Sequence, residues 1–249
     1  MPILTKRPTK SPLGIYIHVP FCVSKCNYCA FFSRACIAPD WEQYTRDICD
    51  EVVFWANKLG RPDVPTIFFG GGTPSLMPVQ CFDKIMHTIH QNFNTSACCE
   101  VTLESNPKTL DRQKLADFRH AGMSRLSVGV QSLNDKKLKF LGRRHTVADA
   151  LQLLDVAHSM NINVSADFIY GMPDDTVRDV IDLCCQINKL GLKHCSMYEL
   201  TIEQNSVFGK MNLNMPSNEE MAQMYLAIPK YLNLPRYEVS NYATQGYQC

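Results

Sequence analysis

Residues Gly14–Cys29 read GIYIHVPFCVSKCNYC. The first half, Gly14–Pro20, is an apolar run rich in β-branched and aromatic residues and closed by proline, the pattern of a strand. It runs directly into three cysteines, Cys22, Cys26 and Cys29. Five more runs of the same kind follow: Thr66–Gly70 (TIFFG), Glu100–Ser105 (EVTLES), Arg125–Gln131 (RLSVGVQ), Asn163–Tyr170 (NVSADFIY) and His194–Leu200 (HCSMYEL). Amphipathic stretches lie between them at Trp41–Lys58, Val79–Asn92, Asp111–His120, Thr146–Met160 and Thr176–Leu190. Strands alternating with helices predict βα units and a parallel sheet, wound in one direction by right-handed crossovers. The fold class is therefore α/β, and six such units predict a partial (βα)6 TIM-like barrel. A further helix is expected at Glu219–Leu232 and a strand-like run at Tyr237–Tyr242.

Composition removes several classes. The chain has 249 residues, 45% hydrophobic and 20% charged, which excludes a disordered or fibrous chain. No apolar run is long enough to span a bilayer, so no membrane span is expected. A formal charge of +1 argues against a protein that grips nucleic acid by bulk electrostatics. Twelve cysteines in a chain this long, without a secretory leader, predict a reducing cytoplasmic compartment rather than a disulfide scaffold. The basic, proline-containing start, residues 1–13, reads as an N-terminal extension.

In folds of this class ligands sit at the carboxyl ends of the strands. The unusual residues fall there: the cysteines after the first strand, GGGTPS after the second, ESNP at the end of the third, QS after the fourth, DFIYGMP at the fifth and YELT at the sixth. The spacing CxxxCxxC lets three thiolates converge on one metal centre. A structural zinc site wants a fourth protein ligand, for which Cys36 and His18 are the local candidates. A 4Fe-4S cluster is usually held by four cysteines, and with three, one iron stays open to a small molecule.

Other residues have a binding and a structural reading. Gly71, Gly72 and Thr73 let the backbone approach a ligand and donate N–H groups, or form a tight turn. Glu104 accepts hydrogen bonds from a bound hydroxyl or ammonium, or is a surface charge. Gln131 ends an apolar strand and needs a polar partner, either a ligand or a loop backbone. Asp167 lies within an apolar strand, where a carboxylate is costly unless paired. Of the basic run DKKLKFLGRR most is a solvated helix face, while Arg143 or Arg144 can fork onto a carboxylate. Tyr16 and Tyr28 flank the triad and are otherwise core aromatics. His18 reads as a structural histidine, His87 and His90 as surface residues. Cys98, Cys99, Cys184, Cys185 and Cys195 read as small buried hydrophobes.

The stretch YIHVPFCVSKCNYC resembles the signature of radical S-adenosylmethionine (SAM) proteins. More narrowly, GGGTPS, ESNP, GVQS, LGRRH, DFIYGMP, YELTIE and EVSNYA match, in order, the oxygen-independent coproporphyrinogen III oxidase-like family. The resemblance implies a partial barrel of the radical SAM type over 14–215. Residues 216–249 would be the start of a C-terminal extension that is cut short, because the family pattern continues past Cys249 with a His-Asn-x-x-Tyr-Trp segment. It implies a 4Fe-4S cluster on Cys22, Cys26 and Cys29, with SAM on the open iron, and reductive cleavage of SAM to a 5′-deoxyadenosyl radical. By family position the SAM contacts are Tyr16, Tyr28, Gly71, Gly72, Thr73, Glu104, Gln131, Arg143 and Asp167. The oxidases that this sequence resembles carry another cysteine two residues after the triad, and here that place holds Phe31. This points to the haem-chaperone branch, which implies haem as ligand and a haem acceptor protein and a flavodoxin- or ferredoxin-like electron donor as partners. The alternatives are a porphyrinogen-decarboxylating oxidase or other radical SAM enzyme, and a non-catalytic metal-binding module. A eukaryotic source would make the compartment mitochondrial.

Overall fold

The computed structural model describes residues 12–249; all but the last two positions of the 1–13 extension lie outside them. In chain order the elements are β1 (Gly14–Val19), β2 (Phe21–Cys22), β3 (Arg34–Ala35), α1 (Trp41–Leu59), β4 (Asp63–Gly71), α2 (Val79–Asn92), β5 (Asn94–Ser105), α3 (Arg112–His120), β6 (Arg125–Gln131), α4 (Asp135–Phe140), α5 (Val147–Ser159), β7 (Asn163–Tyr170), α6 (Val177–Ile187), β8 (His194–Glu199), α7 (Asn218–Tyr231) and β9 (Asn241–Ala243). The main sheet has the order β1-β4-β5-β6-β7-β8-β9, and every neighbour from β1 to β8 is parallel. Six parallel strands thus follow one another around the sheet in sequence order, as a (βα)6 barrel requires. The barrel is partial: among the described residues β1 pairs only with β4, and β8 is covered by the antiparallel β9 instead of closing onto β1.

Alternation along each strand divides the chemistry. Ile17, Val19, Ile67, Phe69, Val101, Leu103, Leu126, Val128, Val164 and Phe168 join one apolar core beneath the helices. The intervening positions, among them Tyr16, His18, Glu104, Ser127, Gly129 and Asp167, take the other face. Helix starts are set by side chains that satisfy the first free N–H groups: Thr146 with Asp149, Thr176 with Asp179 and Ser217 with Glu220 each form a reciprocal capping box. Met221, Met224 and Ile228 of α7 belong to the same core as the barrel.

Three expectations need correction. β5 begins at Asn94, well before Glu100, because NTSACC lacks strand patterning yet pairs with Asp63 and Val64 beyond an irregularity between Val64 and Thr66. The run Tyr237–Tyr242 is not one strand: Tyr237 N–H donates to the Asn241 carbonyl (3.1 Å), which bends it, and only Asn241–Ala243 pair with β8. Among the scattered cysteines only Cys184 and Cys195 are fully buried, and burial pushes both thiols up to about 12. Cys99 is half-buried, while Cys98 and Cys185 are exposed, the first on the outlying start of β5 and the second one helix position off the buried face of α6. His87 and His90 are exposed as expected.

Phe69, Phe82 and Phe118 form a run of aromatic contacts, with ring centroids 4.6 and 5.2 Å apart, that joins β4 to α2 and α3. All three are fully buried. Phe82→Ala should therefore cost about 3–5 kcal/mol of stability, read as a fall in the denaturant midpoint with an unchanged m-value.

Candidate functional site

The cysteine loop is pinned at both ends and in its middle. β2 and β3 pair in parallel, so that Cys22 lies beside Ala35, and the Cys36 N–H donates to the Cys22 carbonyl (2.9 Å). In the middle, Asn27 N–H donates to the Leu141 carbonyl (3.0 Å) and its side-chain amide to the Phe140 carbonyl (2.8 Å). Gly142, at φ 74°, follows; a Cβ there would stand 2.9–3.1 Å from Asn27 atoms, so only glycine lets the two loops meet. The loop presents Cys22, Cys26 and Cys29 to one cavity, together with Lys25, Tyr28 and Phe31. The Thr73 hydroxyl donates to Cys22 Sγ (3.5 Å) and Arg143 Nη1 to Cys26 Sγ (3.4 Å). Burial pushes the Cys29 thiol up.

Across the cavity stand Gly71, Gly72, Thr73, Glu104, Gln131, Arg143 and Asp167. Cys22, Cys26, Tyr28, Cys29, Gly72, Thr73 and Arg143 lie on loops, turns or a strand end, Gly71 and Glu104 lie at the ends of β4 and β5, and Asp167 lies within β7. Gln131 closes β6 in the left-handed region, at φ 67°, where the register with β7 shifts. That kink turns its amide to the cavity and is the kind of local strain that clusters at functional sites. Tyr16 is not part of the wall. It is largely exposed on β1, its hydroxyl 3.1 Å from His18 Nδ1.

The glycine run behaves differently from expectation. Gly71 N–H donates to Glu104 Oε2 (2.9 Å), Gly72 N–H to the Val19 carbonyl (2.7 Å) and Thr73 N–H to the Phe21 carbonyl (2.8 Å). These N–H groups are spent on the protein and are not offered to a ligand. The glycines serve close packing: a Cβ on Gly72 would sit 2.7 Å from the Phe21 carbonyl oxygen and 2.9 Å from that of Val19.

Two half-buried carboxylates share the cavity. Burial and the charge of Asp167 raise the Glu104 carboxyl to about 7 against the lowering effect of the Gly71 N–H. Asp167 is raised by burial and is held by the Ser127 hydroxyl (3.4 Å). Opposite them, Arg143 donates to the Gly129 carbonyl (2.8 Å) and to Asn106 Oδ1, and its Nε is buried without a partner. A Cβ on Gly129 would meet Gln131 Nε2 at 2.8 Å and Arg143 Nη2 at 3.2 Å, so the absence of a side chain there leaves a cradle between these groups. Arg144 is exposed, so Arg143 is the arginine of the site. Tyr28 also packs against Leu141 and Ile169 in a small second core, which is its core-aromatic reading.

Sequence reasoning missed Gly129, whose signal was a glycine inside a strand. It also missed Arg125, a charged residue opening β6 that is 2% exposed and faces Glu100 at 3.6 Å. The reading of His18 as structural holds: its Nε2 lies 2.8 Å from the Phe32 carbonyl and its Nδ1 on Tyr16. Neither His18 nor Cys36 lines the cavity. Among the described residues no three His, Cys, Asp or Glu side chains are gathered tightly enough to hold a single metal ion.

The arrangement suits a zwitterionic ligand, with carboxylates for its cationic groups and a guanidinium for its anionic end. Because the folded-state pKa of Glu104 is raised, ionising it costs stability, so stability is full at low pH and falls as pH rises through about 7. A cationic ligand seated on Glu104 reverses this and binds more tightly as pH rises through the same range. Glu104→Gln should flatten both dependences, measured by denaturation and by ligand titration on either side of that pKa.

A model of the Radical SAM superfamily matches residues 16–184 of this chain. The protein named Heme chaperone HemW from Escherichia coli is 35% identical over 246 residues, covering 96% of this chain and 64% of that protein. The zebrafish (Danio rerio) protein named Radical S-adenosyl methionine domain-containing protein 1, mitochondrial, is 33% identical over 92% of this chain and 54% of its own length. The chain thus spans less than two thirds of these relatives. The structure of coproporphyrinogen III oxidase from E. coli, described as a radical SAM enzyme, superposes with a TM-score of 0.86 at 22% identity, covering 96% of this chain and 57% of that one. At that identity the likeness speaks for the fold.

Proposed function

The chain belongs to the Radical SAM superfamily, and from that premise we propose that it is the cofactor-bearing part of a haem chaperone, which binds haem and passes it to acceptor proteins. The observation that carries the cofactor assignment is the single cavity into which Cys22, Cys26, Cys29, Glu104, Gln131, Arg143 and Asp167 all face. The donor set fits a 4Fe-4S cluster on the three thiolates with SAM completing it. Three sulfurs with one open iron match the cluster, and the unpartnered Arg143 Nε and the cradle at Gly129 match a polar small molecule. When bound, this pair supplies one-electron chemistry that amino-acid side chains lack.

The chain's own groups bind, orient and insulate. Thr73 and Arg143 hydrogen-bond two of the thiolates and so disperse their negative charge. Arg143 would offer a donor not spent on Cys26, Asn106 and Gly129 to the SAM carboxylate, while Glu104 and Asp167 would take the cationic and hydroxyl-bearing parts. Gln131 and Asn106 supply amides. Tyr28 and Phe31 are apolar parts of the wall. Tyr16, outside the wall, would reach SAM only at its edge.

The haem reading rests on the relatives' names and on Phe31, an apolar ring at the place of the oxidases' additional cysteine. The reductant would be a flavodoxin- or ferredoxin-like protein, and the compartment the cytoplasm. No helix among the described residues is long and apolar enough to cross a membrane. By family position the barrel would span 14–215, with 216–249 forming a C-terminal extension to it.

Two measurements test this. Cys26→Ala should abolish the cluster's absorbance and iron content, since two thiolates do not hold a cubane firmly. Cys98→Ala, exposed and outside the cavity, should leave both unchanged. The anaerobically reconstituted protein should retain haem at micromolar concentration and form no protoporphyrinogen from coproporphyrinogen III with SAM and reductant. Product formation would make it an oxidase instead.

A further inference from the structure

Four rings form a continuous aromatic ledge along the open side of the barrel. Phe68 and Tyr16 lie 6.1 Å apart between centroids and nearly parallel, at 22°. Tyr16 to His18 is 5.9 Å, and His18 to Phe32 is again 5.9 Å. The ledge runs from Phe68 of β4 along β1, which among the described residues has no neighbour on its outer side, and ends on the cysteine loop. Two of its rings are bare, Tyr16 at 56% and Phe32 at 83% exposed, while Phe68 and His18 are half-buried; beside them Phe31 is 70% exposed. Contiguous apolar surface of this kind is unfavourable in water and marks a binding face. His18 is fixed within it, since both ring nitrogens are engaged, so it contributes a flat surface and not a free ligand nitrogen.

The loop end of the ledge is cationic. Lys25 Nζ donates to the carbonyls of Phe31 (3.2 Å) and Ser33 (3.5 Å), which holds its charge beside the two phenylalanines. Arg34 follows Ser33, is exposed, and lies with its guanidinium carbon 5.1 Å from the centroid of the Phe21 ring. A flat apolar strip ending in two cations is complementary to a flat macrocycle that carries carboxylates on one edge. Resting on the haem reading above, we infer that haem lies on the Phe68–Tyr16–His18–Phe32 ledge with its propionates toward Lys25 and Arg34, at the mouth of the cysteine cavity. An apolar segment of a partner protein would use the rings but would have no need of the two cations.

The test is a haem titration of the reconstituted protein, followed by the Soret band, with iron content and SAM affinity measured in parallel. Phe32→Ser changes a ring that lines no part of the cysteine cavity and whose only hydrogen bond runs through its backbone carbonyl. It should weaken haem binding about tenfold or more while iron and SAM affinity stay as in the unaltered protein. Arg34→Glu should weaken haem but not haem dimethyl ester, whose propionates are blocked; this comparison stands even if Phe32→Ser fails to fold. Haem bound equally by the unaltered protein and both variants overturns the ledge and leaves the haem-chaperone reading intact. Loss of haem in Phe32→Ser with no difference between haem and its ester for Arg34→Glu overturns the propionate assignment. No haem binding by the unaltered protein overturns the chaperone reading, and the ledge with it.

Discussion

The guanidinium of Arg143 is the point on which the site depends. It joins the cysteine loop, through Cys26 Sγ, to the end of β6, through the Gly129 carbonyl, and to the loop after β5, through Asn106. A buried guanidinium stripped of partners would cost several kcal/mol. Three loops that are far apart in the chain are therefore held together by the need to satisfy one charge. The bonds are incomplete: the buried Nε has no partner, a cost of about 1–3 kcal/mol in an otherwise closed network. A protein that tolerates such a cost beside two carboxylates and three thiols is preorganised for a polar ligand.

The parallel sheet makes room for this chemistry. A sheet buried on both faces normally reads as continuous apolar runs, and here the outer face does. The inner face carries Glu104, Asp167, Ser127, Arg125 and His194, polar positions that alternate with the apolar ones along the same strands. Charges on this face act on one another at a distance: Asp167 raises Glu104, while Arg125 and Arg143 favour the ionised Asp167. Tyr16 and His18 of β1 share this face and pack on Phe68 and Phe32.

Much was legible in the sequence because it was local. Strand and helix periods in runs such as RLSVGVQ and VADALQLLDVAHS, and capping residues such as Thr146 with Asp149, depend on neighbours a few positions away. Where local pattern was weak, the reading failed: NTSACC pairs as a strand only because β4 lies beside it, and Tyr237–Glu238 bends away because the Asn241 carbonyl and side chain capture it. Cys98 and Cys185 look apolar by type, yet their exposure is set by which face of an element they occupy.

The sequence by itself determined the α/β class, the order of six βα units, the cysteine triad and the polar residues at the strand ends. Those are matters of residue type and short spacing. Only the tertiary structure decided that Gly71, Gly72 and Thr73 spend their N–H groups on Glu104 and on the carbonyls of Val19 and Phe21. It alone brought Arg143 rather than Arg144 to Cys26, kinked β6 at Gln131, and left Tyr16 outside the cavity on a ledge with Phe68, His18 and Phe32. Each of these depends on contacts between segments distant in the chain, where hydrogen-bond satisfaction and steric fit, which no local pattern encodes, choose the partner.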